Sequence, residues 1–296
     1  MTHVWVDGRL LSAAGPHVSA FDRGFQMGDA VFETLRARGG RVAELEDHLA
    51  RLRRSAEAME IALGPEVDAR VGEGIAALLA ADELDSDAVD AAIRITVSRG
   101  SWSSRSVLPA VGEGETPTVV IQAWPATPPP SGPSANGISV IVSGIRRDPA
   151  SPLVGVKTTS RAEYVYARLE ARRRGADDAL FVTVSGHLSE ATSANVFLVR
   201  TAPDGAMELT TPSLDCGVLA GTTRSWLLTW AANAGLRPVE GLLTPDDLAS
   251  ADEAFLSSSV AGIVPIVRFE DGPIGDGRPG RWTLRARADR EAFIAN

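Results

Sequence analysis

A chain of 296 residues, 44% hydrophobic and 23% charged, can bury a sizeable core in two modest domains and has the composition of an ordinary globular protein. Its net charge of -9 argues against a nucleic-acid or anionic-membrane partner, which would call for a basic face. The single cysteine, Cys216, excludes an intrachain disulfide and suits a reducing cytoplasm; no signal peptide is visible, and no apolar run approaches the ~20 residues of a membrane span.

Val4-Trp5-Val6, Asp7-Gly8 and Arg9-Leu10-Leu11 predict a β-hairpin, because Asp-Gly tolerates the positive φ of a tight turn. Val31 to Arg36 alternates as a strand, and Gly39-Gly40 turns it into a partner strand around Arg41-Val42. Leu45, Leu49, Leu52, Ala56 and Met59 follow at helical spacing, with His48 and Arg51 expected on the solvated side. Ile75 to Leu84 predicts a second helix. Ala92 to Gly100 alternates strictly, with Ile93, Ile95 and Val97 on one face and Arg94, Thr96 and Ser98 on the other. Val119 to Trp124 does not alternate and is expected to be a strand buried on both faces.

Pro125 to Pro133 is proline-rich, and consecutive prolines continue neither a helix nor a central strand. The expected organisation is therefore a small domain over residues 1–124, a linker over 125–133 and a larger domain over 134–296. The second half opens with a strand at Gly137–Val142, then a helix from Ala162 to Arg174 ended by Gly175. Strands at Ala179–Val184 and Ala194–Val199 flank a loop containing Glu190. Another helix starts at Thr222, and Glu253–Leu256 is a strand leading into Ser257-Ser258-Ser259.

Lys157 is the only lysine in the chain; apart from four histidines, every other basic side chain is arginine. Arginine serves surface and ion-pairing roles but cannot act as an amine nucleophile, so a lone lysine points to amine chemistry such as a Schiff base. The count by itself leaves a leftover surface lysine equally open. Gly221-Thr222-Thr223 at a helix start offers N–H groups, a helix dipole and hydroxyls to an anion, although the same residues serve ordinary capping. Ser258 and Ser259 add hydroxyls after a short strand. Glu190, the only full charge in its loop, suits a pyridine nitrogen that must stay protonated. No His/Cys cluster has metal-ligand spacing, so no metal is expected.

Five blocks, in order, then carry a resemblance: Asp22-Arg23-Gly24 to Gly28-Asp29-Ala30-Val31-Phe32-Glu33; His48 to Leu52; Val156-Lys157; Leu188 to Phe197; and Leu219 to Arg224. The chain resembles the fold-type IV enzymes of pyridoxal 5′-phosphate (PLP), a family that includes branched-chain aminotransferase, D-amino acid aminotransferase and 4-amino-4-deoxychorismate lyase. The resemblance implies an α/β (α+β) fold, with a small N-terminal α/β domain and a larger C-terminal domain built around a β-barrel-like sheet. It further implies PLP in a cleft between the domains of a homodimer. By position, it implies that Lys157 forms the Schiff base and shuttles the proton, and that Glu190 pairs with the pyridine nitrogen. Arg51, Gly221, Thr222, Thr223, Ser258 and Ser259 would surround the phosphate, with Leu219 on the ring face. Phe32, Arg94 and Arg99 would face the substrate.

Two departures bear on specificity. Ala162 stands where branched-chain enzymes have a tyrosine, and Arg99 resembles the carboxylate-binding arginine of D-amino acid enzymes. The expected activity is a ping-pong transaminase between an amino acid, with D-amino acids favoured, and a 2-oxo acid. The rival readings are the lyase, a branched-chain transaminase and a non-catalytic PLP-binding scaffold.

Overall fold

Asp7 and Gly8, with φ of 48° and 90°, close the opening hairpin between β1 (His3–Val6) and β2 (Arg9–Ser12), as two residues of positive φ require. The structure, a computed structural model, describes residues 1–103, 106–108, 116–127 and 136–295. Contacts divide it into two units, Met1–Ala126 with Val156–Arg161, and Thr127–Gly155 with Ala162–Asn296. The expected linker residues 128–133 lie outside the described residues. The expected continuous domain 134–296 is corrected in one respect: the segment carrying Lys157 belongs with the first unit.

Among the described residues, the first unit has a six-stranded antiparallel sheet of order β2-β1-β6-β5-β3-β4. Its other strands are β3 (Ala30–Arg38), β4 (Arg41–Val42), β5 (Asp90–Ser98) and β6 (Thr118–Pro125). The helices are α1 (Arg23–Met27), α2 (Leu45–Ala58) and α3 (Val67–Ala81). One sheet face buries Trp5, Val31, Leu35, Ile93, Ile95 and Ile121 against Leu49 and Leu52 of α2 and Ile75 and Leu78 of α3.

The expectation that β6 is buried on both faces is not met. Val119, Ile121 and Ala123 are buried, while Val120 and Gln122 are half-buried and Trp124 is exposed. Val120 is apolar for another reason: with Val18, Phe25, Ala30 and Thr96 it lines a pocket of about 250 Å³ on the uncovered face.

The second unit is a curled half-barrel sheet of order β12-β11-β10-β13-β14-β7-β8-β9, with β15 on β14. In chain order its strands are β7 (Ile138–Arg147), β8 (Asp178–Thr183), β9 (Leu188–Ala191), β10 (Asn195–Thr201), β11 (Met207–Pro212), β12 (Arg237–Gly241), β13 (Glu253–Ser258), β14 (Gly262–Phe269) and β15 (Gly272–Pro273). Its helices are α4 (Ala162–Arg173), α5 (Thr222–Ala234), α6 (Pro245–Ala249) and α7 (Arg281–Ala295). Alternation separates two cores. Leu180, Val182, Val196, Leu198 and Leu256 pack together, while Phe197 and Phe255 stack against Leu227 and Trp230 of α5 and Ala286 of α7. Among the described residues, no helix is long and apolar enough to cross a membrane.

Two glycines of α3 give a paired test of this packing. A Cβ on Gly74 would lie 2.7 Å from the Trp5 ring and 2.9 Å from Ile121, whereas one on Gly72 would meet nothing within 4 Å. Gly74→Val is therefore expected to cost about 1–3 kcal/mol through overpacking. Gly72→Ala should gain about 0.5–1 kcal/mol through helix propensity. Urea unfolding midpoints check both signs.

Candidate active site

Lys157 sits on a short strap, residues 156–161, laid along β3. The Phe32 N–H donates to the Lys157 carbonyl at 3.0 Å, and the Thr159 N–H donates to the Ala30 carbonyl at 2.9 Å. The Lys157 N–H donates to Ser55 Oγ of α2 at 3.3 Å. Gly28 makes the close approach possible: its φ is 67°, and a Cβ there would lie 2.6 Å from Ser160 Oγ. The strap brings the Lys157 amine to 4.7 Å from the centroid of the Phe32 ring. Arg94 of β5 lies over the same ring at 3.9 Å, and Arg161 approaches it at 5.9 Å. Arg94 is half-buried and donates to Thr96 Oγ1 at 3.2 Å; among the described residues it has no carboxylate partner.

Strand alternation puts Glu33 on the opposite side of β3 from Phe32, under α2. There it is fully buried and takes Arg51 Nε and Nη2 at 2.7 Å each, with His48 Nδ1 also at 2.7 Å. Burial alone would push the Glu33 carboxyl up. Hydrogen bonds from Arg51 and His48, with the charges of Arg51 and Lys157, bring it instead to about 2.

In the second unit Glu190 is buried on β9. Arg147 Nη1 donates to its Oε1 at 2.7 Å and to the Gly217 carbonyl at 3.0 Å, while the Leu219 N–H donates to Oε2 at 2.9 Å. The Tyr164 hydroxyl lies 3.4 Å from Oε1, and the Arg147 guanidinium lies 4.9 and 4.7 Å from the ring centroids of Tyr164 and Phe181. Burial works against the charge of Arg147, but the Glu190 carboxylate outweighs it and holds the guanidinium above its ordinary pKa.

Gly221 is the N-cap of α5 and has no side chain to accept from the first turn; a Cβ there would lie 2.3 Å from Asn195 Oδ1. Thr222 Oγ1 lies 3.4 Å from Ser259 Oγ, and buried Arg290 of α7 donates to Thr223 Oγ1 at 3.3 Å. Ser257 Oγ is buried without a hydrogen-bond partner among the described residues. A glycine N-cap, hydroxyls and an unsatisfied buried hydroxyl together have the donor set of an anion cradle.

The family model described as "Amino-transferase class IV" matches residues 30–269. The chain belongs to the class IV aminotransferase family. A Methanocaldococcus jannaschii chain named for branched-chain-amino-acid transamination is 30% identical over 96% of this chain and 93% of its own length. A D-alanine aminotransferase of Bacillus licheniformis is 28% identical over 95% and 93%. Among solved structures, a PLP-bound aminotransferase from Mycobacterium tuberculosis superposes with a TM-score of 0.83 at 26% identity, covering 99% of this chain and 98% of that one.

Within this class IV aminotransferase, the first unit brings Lys157, Phe32 and Arg94 together and places Arg51 against Glu33. The second groups Glu190 with the Leu219 N–H, and Thr222 with Ser259; Gly221, Thr223 and Ser258 lie at the same α5 and β13 ends. Arg99 is corrected. It is buried, its Nε and Nη2 bind Asp29 at 2.8 and 3.2 Å, and Nη1 and Nη2 donate to the carbonyls of Glu60 and Met59. Such a guanidinium is a structural tie, committed before any substrate arrives. Arg36 and Arg38, at the hairpin end of β3, are both held by Asp90.

Arg147 and Tyr164 were given no site role from sequence, and Glu33 entered only as part of the first motif block. A signal existed for Glu33: it occupies the apolar phase Val31–Glu33–Leu35, so its charge had to be buried and paired. His48 and Arg51, three residues apart on one helix face, are the partners; neither is solvated as expected. Glu190 sits in a strand rather than a loop because Leu188–Ala191 is buried throughout and shows no alternation to read.

The Glu33 pKa implies a pH dependence. Its folded value of about 2 lies below the ordinary 4.5, so its stabilisation is complete above pH 4.5 and is lost as pH falls toward 2. Glu33→Gln is expected to cost about 3 kcal/mol at pH 7. Urea titrations should show this deficit shrinking between pH 4.5 and 2; a pH-independent deficit would mean that the carboxylate charge is not what matters.

Proposed function

We propose that this protein is a PLP-dependent transaminase that moves an amino group between an amino acid and a 2-oxo acid in alternating half-reactions. The residues suit the coenzyme. The second unit offers the start of α5, with Gly221, Thr222 and Thr223, to the phosphate, together with the hydroxyls of Ser258 and Ser259 and the unsatisfied Ser257 Oγ. Leu219 supplies an apolar contact for the ring, and Glu190 a carboxylate for the ring nitrogen. The first unit offers the Lys157 amine and Arg51, whose guanidinium is oriented by Glu33 and is assigned to the phosphate.

When bound, PLP supplies an electron sink that acidifies the substrate Cα–H. Lys157 Nζ is the base that takes that proton and returns it. Glu190, oriented by Arg147 and the Leu219 N–H, would accept a hydrogen bond from the ring N–H and favour the proton there. Arg94 fixes the substrate by its carboxylate.

The observation that carries this reading is the placement of the Lys157 amine and the Arg94 guanidinium over one ring, that of Phe32. An α-amino acid presents its reacting centre and its carboxylate side by side, and these are the two groups that receive them. The D-amino acid preference rested on Arg99 and on Ala162 in place of a tyrosine; Asp29 holds Arg99, so only the second support remains and Arg94 is the carboxylate residue in this reading. Phe21, Phe25 and Met27, close in sequence around α1, are exposed apolar side chains that a second copy could cover, which supports the homodimer reading.

Lys157→Ala is expected to remove the coenzyme adduct fixed by borohydride and essentially all turnover, while leaving the unfolding midpoint near wild type. Mass spectrometry should place the wild-type adduct on the Lys157 peptide, and active protein without such an adduct overturns the assignment. Arg94→Ala should lower kcat/KM for D-alanine and L-leucine by about 10- to 100-fold, the worth of one charge-assisted pair. The same variant should leave (R)-1-phenylethylamine, which has no carboxylate, nearly unchanged. Equal losses on acids and amine would make Arg94 structural.

A further inference from the structure

The hydroxyl of Thr223, in the first turn of α5, is 2% exposed, and among the described residues its one hydrogen-bond partner is Arg290 Nη2 at 3.3 Å. A guanidinium N–H can only donate, so Thr223 Oγ1 accepts that bond and its own proton is left without an acceptor. Ser257 Oγ, at the end of β13, is likewise buried with no partner among the described residues. Ser259, two residues on, lies 3.4 Å from Thr222 Oγ1, which brings the end of β13 to the start of α5. A buried hydroxyl proton without an acceptor is costly, and few are left so in a folded chain. Beside a helix start, whose N–H groups also need acceptors, such protons call for an anion.

Arg290 reaches Thr223 from α7, and the register of that helix is fixed. Its buried face runs through Thr283, Ala286, Arg287, Arg290 and Ile294 at helical spacing. Glu253 of β13 accepts the Thr283 N–H and hydroxyl at 2.8 Å each, which anchors the start of α7. Trp230 Nε1 of α5 donates to Asp289 Oδ2 at 2.8 Å and ties the two helices one residue before Arg290. The guanidinium, on a side chain that is 1% exposed, lies 5.2 and 5.1 Å from the ring centroids of Trp226 and Phe293. Arginine also suits the place chemically. A partner able to accept as well as donate would let the threonine proton turn back into the core, and a guanidinium has no acceptor to offer it.

We infer that Arg290 is a positioning residue for the coenzyme phosphate. By occupying the acceptor side of the Thr223 hydroxyl, it turns that proton toward the anion and makes α7 part of the phosphate site. The inference rests on the transaminase reading, with the start of α5 assigned to the phosphate.

The test titrates the full chain, freed of coenzyme, with PLP and with pyridoxal, which has the same ring and aldehyde but no phosphate. Binding is followed by absorbance, and inorganic phosphate is added as a competitor of PLP. Arg290→Met removes the donor and keeps an apolar chain against Trp226 and Phe293. It should weaken PLP about tenfold and change pyridoxal by less than about twofold. The inhibition constant of inorganic phosphate should rise about tenfold in the same variant. Thr223→Val should weaken PLP to a similar extent, and Thr223→Ser, which keeps the hydroxyl, should stay within about twofold of wild type. The double variant, Arg290→Met with Thr223→Val, should lose no more than the larger single loss, because the guanidinium acts through the hydroxyl. Unchanged PLP affinity in Arg290→Met overturns the inference, as do equal losses of PLP and pyridoxal or a double loss equal to the product of the single ones. If Arg290→Met does not fold, Thr223→Val still decides: an unchanged ratio of PLP to pyridoxal affinity overturns the inference. If Thr223→Val weakens PLP selectively and Arg290→Met does not, the inference fails while the phosphate assignment stands; if neither alters the ratio, both fail. Failure of the transaminase reading is separate and shows as a missing Lys157 adduct.

Discussion

The pairing of the 156–161 strap with β3 is the constraint on which the position of Lys157 depends. Two backbone hydrogen bonds, Phe32 N–H to Lys157 O and Thr159 N–H to Ala30 O, hold the strap in register. Backbone hydrogen bonds of this kind do not rely on a flexible side chain, so they fix the root of Lys157 and leave only its own torsions to place the amine. A lysine on a free loop would lose far more conformational entropy on reaching a defined point. The Gly28 turn, tightly covered by Ser160, is what lets the strap lie this close.

Beta-strand alternation then divides labour between neighbouring residues of β3. Phe32 turns to the face where Lys157, Arg94 and Arg161 gather, and Glu33 turns to the covered face, where α2 delivers His48 and Arg51. A carboxylate with no exposure is tolerable only with full pairing, and three hydrogen bonds from two side chains provide it. The same carboxylate feels the charge of Lys157, which links the buried network electrostatically to the amine. Glu190 in the second unit follows the same rule: Arg147, a backbone N–H and the Tyr164 hydroxyl are its partners.

Arg99 and Arg94 show how similar sequence signals separate in three dimensions. Both are arginines of one strand and its edge, Arg94 in the middle of β5 and Arg99 just past its end, and both resemble carboxylate binders. Asp29 lies within reach of Arg99 and also takes Arg23; although burial pushes its carboxyl up, the two arginines hold it below the usual range. Arg94 points to the sheet face that α2 and α3 do not cover, and meets a hydroxyl instead. β6 makes the same point for burial. Val120 reads as core, but it lines a pocket on that uncovered face, where an apolar residue is just as well accommodated.

Much of this protein was legible in its sequence. Periodicity marked most strands and helices, because burial of one face imposes a period of 2 or 3.6 directly on the order of residues. The lone Lys157 and the motif blocks marked the family, because a role that only an amine could fill would leave one residue type no substitute. Partnership was decided by the tertiary structure. Whether an arginine is a structural tie or a waiting cation depends on which carboxylate the fold brings within about 3 Å, and that distance is set by residues far away in the chain. Asp29 claims Arg99 across 70 positions, and Arg147 reaches Glu190 across 43. The strap that carries Lys157 joins the first unit for the same reason: backbone hydrogen bonding to β3, more than 120 residues earlier, has no period and leaves no pattern in the sequence.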